Sequence, residues 1–146
     1  MNANKIRMCY SCEMLANLPY SMPLKIESTD LDALGHVNNV VYLRWVQEVA
    51  ASHWELLSKT LPPSDAVWVV LRHEIDYLKA AQPSDNLVAK TWVGATDGLR
   101  SVRHVHIETA SGALLAKTQT TWCLVDGSTG QVRRMSKAVL DLLKGL

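Results

Sequence analysis

A long, mostly apolar segment from Val40 to Leu57 constrains this chain more than any other part of its sequence. Its polar side chains thin to a single stripe, which consists of Arg44, Gln47, Glu48 and Glu55. A helix that is apolar around most of its circumference is buried around most of it. The segment therefore predicts a central helix that other elements must cover.

The stretch that leads into this helix, residues 30–39, is rich in side chains that carry chemistry. It contains two aspartates, a glycine, a histidine and two asparagines. Asn38 or Asn39 is predicted to cap the helix, because a short side-chain carbonyl accepts first-turn N–H groups. A helix N-terminus carries partial positive charge and free N–H donors, so we expect the functional site here.

The remaining pattern predicts strands that are joined by tight turns. A first strand over Tyr20–Thr29 holds Pro23, which indicates an edge position or a strand start. After Leu61–Asp65 ends the helix, the apolar period changes to two, and four strands are predicted over 69–77, 87–95, 100–109 and 114–125. Ser136 caps a short amphipathic helix. The fold class is α+β, with an antiparallel sheet around the central helix.

Size and charge exclude several classes of protein. A chain of 146 residues predicts one domain, here residues 20–146, with residues 1–19 as an N-terminal extension or a short edge element. Fifteen basic and fourteen acidic side chains give a net charge of +1, too little for a nucleic-acid partner. No apolar run reaches the roughly 20 residues that span a bilayer. The three cysteines favour a reduced, cytoplasmic setting.

Cys9 and Cys12 form a C-x-x-C pair, for which we weigh a metal or redox role. Zinc needs two further ligands, and Cys123 lies in a distant predicted strand. A thioredoxin-type pair belongs at a strand-to-helix junction, which this segment does not resemble. A chance spacing is the favoured interpretation, and no metal or cofactor is expected.

The pattern D-x-D-x-x-G-H-V-N-N-x-x-Y-L-x-W of residues 30–45 resembles the hotdog-fold thioesterases of the 4-hydroxybenzoyl-CoA thioesterase superfamily. The run from His36 to Asn39, followed by Tyr42, also resembles plant acyl-ACP thioesterases. Residues 73–79 and 121–126 resemble later strands of the same family. The resemblance implies a hotdog fold, in which the sheet curls around the helix. It also implies a homodimer or homotetramer with active sites at the subunit interface.

The resemblance also implies roles for individual residues. Asp32 matches the catalytic carboxylate, and Asn39 matches the position whose backbone N–H polarises the thioester carbonyl. Arg100 and Ser101 match positions that contact the nucleotide of CoA in some members. Leu34 stands where plant-type enzymes carry an asparagine, and no acidic residue near Ala80 matches their second carboxylate. A mechanism centred on Asp32 is therefore favoured.

The chemistry of a thioester agrees with this assignment. Attack turns the carbonyl into an oxyanion, which suits N–H donors at a helix N-terminus, and the same terminus keeps a nearby carboxylate ionised. The thiol leaves readily because its pKa is about 8.5. Asp32 can act as base or nucleophile, and His36 can orient substrate, position water or share the base role. The competing interpretation is purely structural: Asp30 or Asp32 bonds first-turn amides and His36 packs.

Five substrate-binding residues are proposed beside the catalytic residues Asp32, His36 and Asn39. Gly35 permits a tight turn that brings backbone close to the ligand. Val37 and Tyr42 complete the set with Arg100 and Ser101. The pocket is expected beside the central helix, where Tyr42, Trp45 and Val46 favour an apolar acyl or aryl group.

Other candidates are interpreted as structural. His104, His106 and Glu108 share a strand face that suits a metal, but they lack a fourth ligand and are better explained as a solvated face. His73 is predicted to be a hydrogen-bonded core histidine and Glu48 part of the polar stripe. The basic side chains near the end of the chain, Arg133, Arg134 and Lys137, are expected to be solvated rather than bound to CoA phosphates.

Three functions compete on this reading. The leading one is an acyl-CoA or acyl-ACP thioesterase that needs no metal. A hotdog dehydratase or hydratase would require a histidine paired with an acidic helix residue, and a proline-rich motif that this sequence lacks. A non-catalytic module that binds acyl thioesters predicts saturable binding without hydrolysis, and fold alone does not exclude it.

Overall fold

The computed structural model describes residues 19–146. Cys9, Cys12 and, apart from Pro19, the predicted extension lie outside the described residues. The boundary of that extension therefore stays a prediction.

The central helix, α1, spans Asn39–Ser58 and confirms the predicted helix to within one residue at each end. Asn38 is the N-cap, and its side chain accepts the Val40 N–H at 3.2 Å. The helix buries one broad face, formed by Val41, Tyr42, Trp45, Val46, Val49, Ala50 and His53. The prediction of burial around most of the circumference is therefore met on this face only, since Val40 and Leu56 are 66% and 53% exposed.

The sheet is antiparallel and has six strands, in the order β1-β3-β4-β5-β2, with β6 paired to β5. Their bounds are β1 Tyr20–Leu24, β2 Ala66–Tyr77, β3 Leu87–Thr96, β4 Arg100–Thr109, β5 Leu114–Asp126 and β6 Val132–Arg133. With α1 covering it, this sheet is the α+β hotdog fold that the sequence predicted. The two-residue β6 was not predicted.

One predicted connection is wrong. The turn around residues 82–86 does not join neighbouring strands, because β2 pairs with β5 and β3 pairs with β1 and β4. The segment after β2 instead crosses to the other half of the sheet. On its way it passes the helix N-terminus, where the Ala81 C=O accepts the Val37 N–H at 3.2 Å. This crossover helps to position the candidate site.

The first strand is shorter than predicted. It ends at Leu24, and a 3₁₀ turn occupies Ser28–Asp30. Glu27 and Asp30 close that turn as a capping box, which an extended strand does not allow. Because β1 is an edge strand, the interpretation of Pro23 is confirmed.

The main core lies between α1 and the inner face of the sheet. Tyr42 and Trp45 from the helix meet Ala89, Val105 and Ile107 from β3 and β4. At the other end of the sheet a second helix, α2, spans Lys137–Lys144, and the Ser136 side chain accepts the Val139 N–H as predicted. Among the described residues, no helix is both long enough and apolar enough to cross a bilayer.

Candidate active site

The loop before α1 folds into a tight hairpin around Gly35. Leu31 pairs with Val37 in an antiparallel bridge, and the Asp32 N–H donates to the His36 C=O at 2.7 Å. Gly35 has a φ of +76°, in the left-handed region that side chains disfavour. The predicted tight turn is therefore present, and a glycine is what allows it.

The two oxygens of the Asp32 carboxylate differ in their hydrogen bonds. Oδ1 accepts the Leu34 N–H at 2.9 Å and the His36 N–H at 3.0 Å. Among residues 19–146, Oδ2 has no hydrogen-bond partner. One oxygen thus fixes the carboxylate on the turn, and the other is free to act on a ligand.

Asp30 has a different role from Asp32, although the two lie two residues apart. Its side chain is buried, and its carboxylate forms a two-pronged ion pair with Arg44 at 2.9 and 3.0 Å. This hydrogen-bonded guanidinium holds the pKa of Asp30 below its usual range. The Asp30 C=O also accepts the Asn38 N–H at 2.8 Å. Asp30 therefore ties the loop to α1 and has no oxygen to spare.

The start of α1 leaves one backbone donor open. Asn38 uses its side chain to cap the Val40 N–H, and its C=O accepts the Val41 N–H at 2.9 Å. The Asn39 N–H has no acceptor among the described residues, as is typical of a first helical position. Tyr77 fixes this residue by donating its hydroxyl to the Asn39 C=O at 3.1 Å.

The capped-helix interpretation of the aspartates is wrong. Neither Asp30 nor Asp32 bonds a first-turn amide of α1, since Asn38 occupies that place. The hydrogen bonds of Asp32 go to its own turn, and those of Asp30 go to Arg44 and the Glu27 N–H. The His36 side chain is half-buried, and only its backbone takes part in the hydrogen bonds of the turn.

Val37 and Tyr42 lie in the core and not on an open surface. They are 3% and 1% exposed, and the Tyr42 hydroxyl accepts the Ala81 N–H at 3.0 Å. Trp45 and Val46, where the pocket was expected, are equally buried. These residues hold the hairpin and the crossing segment together. Within a protomer, their role is therefore to position these two segments.

Arg100 and Ser101 lie at the other end of the molecule from Asp32. Arg100 pairs in the sheet with Cys123, whereas the Asp32 end of the molecule lies near Leu115, which bonds Leu78 and Lys79. Eight residues of β5 separate these levels, about 27 Å along an antiparallel strand. Ser101 is buried, with its hydroxyl 3.0 Å from that of Thr96. One protomer therefore does not bring these two residues to Asp32.

The histidine-rich strand face lies on the outer side of the sheet. Trp92 stacks on His104 with ring centroids 5.4 Å apart, and Lys90 pairs with Glu108 at 2.6 Å. No group of three or more potential ligands in residues 19–146 is arranged to hold a metal ion. The face is an ordinary polar and aromatic surface.

The remaining candidates have structural partners. His73 Nδ1 lies 2.9 Å from the Thr120 hydroxyl, which confirms the predicted hydrogen bond, but the His73 side chain is half-buried and not in the core. Glu48 lies 3.5 Å from Arg44 on the polar stripe. At the end of the chain, Arg133 pairs with Asp65 and Lys137 with Asp141, all on exposed surface.

A buried arginine beside a cavity was not predicted from the sequence. Arg103 is 7% exposed, and its Nη1 donates to His53 Nδ1 at 2.8 Å and to the Thr91 hydroxyl at 3.1 Å. It shares a period-two face with Ser101, Val105 and Ile107, all of them buried. A charged residue on an otherwise buried face of a strand was the signal that was available.

The cavity has a volume of about 350 Å³ and lies between the second half of α1 and the sheet. It is thus shifted toward the C-terminal end of α1 from the expected position. Its walls are three tryptophans, small or aliphatic side chains, Ser101 and Arg103; the lining residues are Ala50, Ala51, Trp54, Ala66, Val67, Trp68, Ser101, Arg103, Trp122 and Leu143.

Solved structures share this architecture along most of their length. A protein of Pseudomonas aeruginosa strain PAO1 superposes with a TM-score of 0.78 at 14% identity, covering 88% of this chain and 92% of that one. A 1,4-dihydroxy-2-naphthoyl-CoA thioesterase from Synechocystis gives 0.73 at 18%, covering 87% and 96%. A Thermus thermophilus thioesterase complexed with coenzyme A and zinc gives 0.74 at 21%, covering 87% and 93%. The fold is that of the hotdog thioesterases.

The sequence identifies the family within that fold. Residues 17–143 match the acyl-ACP thioesterase N-terminal domain family, so the chain belongs to it. No curated protein sequence matches this chain. The chain is accordingly a thioester hydrolase. Of the three functions that the sequence left open, this is the one that it favoured over the binding module and the dehydratase.

Proposed function

We propose that this protein hydrolyses an acyl or aryl thioester of CoA or acyl carrier protein, with Asp32 as the essential carboxylate. The observation that carries the proposal is Asp32 Oδ2, which has no hydrogen-bond partner among residues 19–146 and lies on a hydrogen-bonded turn just before α1. The other oxygen is held by two backbone donors, so the carboxylate has a fixed orientation without help from substrate.

The open Asn39 N–H supplies the second part of the mechanism. When the thioester carbonyl is attacked, negative charge develops on its oxygen, and a preorganised backbone donor at a helix N-terminus stabilises it. Asp32 acts as base toward water or as nucleophile toward the carbonyl carbon. The leaving thiol has a pKa of about 8.5, so it departs without a strong general acid. His36, on the same turn, orients substrate or water.

We further propose that the working unit contains a dimer paired through β2. This edge strand of 12 residues exposes Val67, Leu71 and Tyr77 at 48%, 52% and 44%. The first half of this edge is apolar and the second half also carries Arg72, Glu74 and Asp76. A long exposed edge can pair with another strand, and a two-fold axis makes that pairing antiparallel. Such a dimer, or a tetramer made of two such dimers, would pair the free edge of β2 and cover Val67, Leu71 and Tyr77.

Antiparallel pairing of β2 also explains the separation of the candidate residues. The start of β2 is level with Arg100, because Val69 and Arg100 both pair with Cys123. The end of β2 is level with Asn39, which Tyr77 contacts. A two-fold axis therefore turns the Arg100 end of one protomer toward the Asp32 end of the other. In that arrangement Arg100 and Ser101 lie near a substrate attacked by Asp32 across the interface.

The test is release of free thiol from a panel of short, medium, long and aromatic acyl-CoAs and acyl-ACPs. Asp32→Asn keeps the size of the side chain and an oxygen for the turn but removes the basic carboxylate. We expect its turnover to fall on the order of 10²–10⁴-fold, the usual contribution of an acid–base group. Asp141→Asn, on the exposed face of α2, is the matched control and retains activity.

Two readouts make the result decisive. Equal turnover by wild type and Asp32→Asn would overturn the role of Asp32. A single turnover in ¹⁸O-labelled water tests the nucleophilic form of the mechanism, because label enters the Asp32 carboxylate only when an anhydride forms and water attacks it at the Asp32 carbonyl carbon. A substrate-free blank accounts for the three cysteines of the chain.

A further inference from the structure

The cavity beside α1 contains a buried positive charge, Arg103, that forms no ion pair with residues 19–146. None of its ten lining residues is a carboxylate, and both partners of Arg103, His53 and Thr91, are neutral. Burial and the nearby guanidinium lower the pKa of His53 to about 4, so its ring carries no charge at neutral pH. Burial lowers the pKa of Arg103 only to about 10, so the guanidinium stays protonated.

A buried charge of this kind destabilises the folded state unless another interaction offsets its lost solvation. An isolated ion moved out of water loses much of its solvation free energy, which neutral partners recover only in part. Trp68 and Trp122 line the same cavity, and each has an indole N–H that is buried without an acceptor among the described residues. The cavity is therefore rich in donors and poor in acceptors.

The free edge of Arg103 has a specific shape. Nη1 is occupied by His53 and Thr91, whereas Nε and Nη2 make no hydrogen bond with residues 19–146. The N–H groups of Nε and Nη2 lie parallel along one edge of a guanidinium. Two parallel donors of this kind match the two oxygens of a carboxylate. The apolar and aromatic walls suit a hydrocarbon body attached to that carboxylate.

We propose that this cavity binds a carboxylate with an aromatic or compact apolar body, its two oxygens on Nε and Nη2 of Arg103. His53 and Thr91 act as positioning residues, because they hold Nη1 and so turn the free edge away from themselves. If the acyl group of the substrate fills the cavity, which rests on the proposed function and the β2 dimer, that acyl group bears a second carboxylate remote from the thioester.

The probe pair is phenylacetate and phenylacetamide, which have nearly the same shape and differ in charge. Binding is measured at neutral pH by calorimetry and by tryptophan fluorescence, since Trp54, Trp68 and Trp122 form the walls. We expect phenylacetate to bind the wild-type protein about ten to a hundred times more tightly than the amide, as charged hydrogen bonds do.

Variants at Arg103 test the assignment. Arg103→Met removes the charge and keeps the length of the side chain, so the two probes should bind it equally. Arg103→Lys keeps the charge but loses the paired donors, so the preference should shrink without disappearing. It also serves as the folded alternative if the methionine variant is unstable. Arg134→Met, at an exposed site outside the cavity, is the control and retains the preference.

Equal affinity of the wild-type protein for the two probes, or no binding of either, would overturn the proposal. So would an undiminished preference in Arg103→Met. The measurement involves no hydrolysis, so a negative result leaves the role of Asp32 standing. Equally, retained turnover in Asp32→Asn would refute the proposed mechanism and leave the carboxylate site standing.

Discussion

His53 makes the stability of this protein sensitive to mild acid. The side chain is 8% exposed, its ring stacks on Tyr20 at 4.9 Å, and its Nδ1 accepts a hydrogen bond from Arg103. An arginine cannot accept a proton from the ring, so Nδ1 is the unprotonated nitrogen. Adding a proton there would break this bond and bring two positive charges together.

The size of the effect follows from the two pKa values. The pKa of His53 falls from 6.5 to about 4 on folding. The unfolded chain therefore binds a proton between these values that the folded chain does not. The contribution of His53 to stability is fully present above pH 6.5 and is lost progressively as pH falls toward 4. Between pH 7.5 and pH 5 the loss amounts to about 2 kcal/mol.

The range from pH 7.5 to pH 5 separates the effect of histidines on stability from that of the aspartates with lowered pKa values. Asp30 and Asp97 have pKa values held below 3.8, so they contribute only in stronger acid. His73 and His104 also have pKa values lowered by burial and act in the same direction, so the wild-type protein alone cannot be used to assign the effect. The assignment needs a variant in which position 53 does not titrate.

The assay is urea unfolding of wild type and His53→Gln at pH 7.5 and pH 5. A glutamine oxygen can still accept from Arg103 but does not titrate. We expect the wild-type free energy of unfolding to fall about 2 kcal/mol more than that of the variant. His106→Gln, on the outer face of the sheet, is the control and should follow the wild type. Parallel pH dependence in wild type and His53→Gln would refute the reasoning.

Two further changes test the loop anchor and the proposed dimer. Arg44→Met leaves the buried Asp30 carboxylate unpaired; we expect a loss of about 2 kcal/mol by urea unfolding and a lower turnover. Arg72→Met, which breaks an exposed pair, should cost less than about 1 kcal/mol, and similar losses in the two variants would contradict this reasoning. Leu71→Asp introduces charge into the exposed edge of β2 and should shift the protein toward monomers in light scattering. Leu99→Asp, at the β3–β4 turn, should not, and an unchanged mass for Leu71→Asp would exclude this edge as the interface.

Local patterns were sufficient to predict the elements of the fold. The apolar run of α1 and the turn signals around the strands depend on neighbours in sequence, and β4 was predicted with both of its ends. Strand order was not available in the same way. The pairing of Ala66 with Asp126 joins distant parts of the chain, and a turn such as 82–86 looks the same whether it closes a hairpin or begins a crossover.

The location of the candidate site was predictable from the sequence, but the separate roles of Asp30 and Asp32 were not. The sequence indicated both Asp30 and Asp32, and only the position of Arg44 shows which carboxylate is tied up. Arg103 was not predicted as a site residue. The candidates predicted on β4 were His104 and His106, which lie on the opposite face of the strand. Its partners, His53 and Thr91, come from two other elements and meet only in the folded chain.

The position of β2 in the sheet has a consequence for how the protein is made. This strand is complete at Tyr77, yet the strand that it pairs with begins only at Leu114. During synthesis from the N-terminus, this long strand with an apolar first half therefore has no neighbour until β5 has emerged. Such late, distant pairing slows folding and exposes the nascent chain to aggregation. Chains interrupted before Leu114 cannot close this part of the sheet, so the ribosome must finish β5 before β2 is protected.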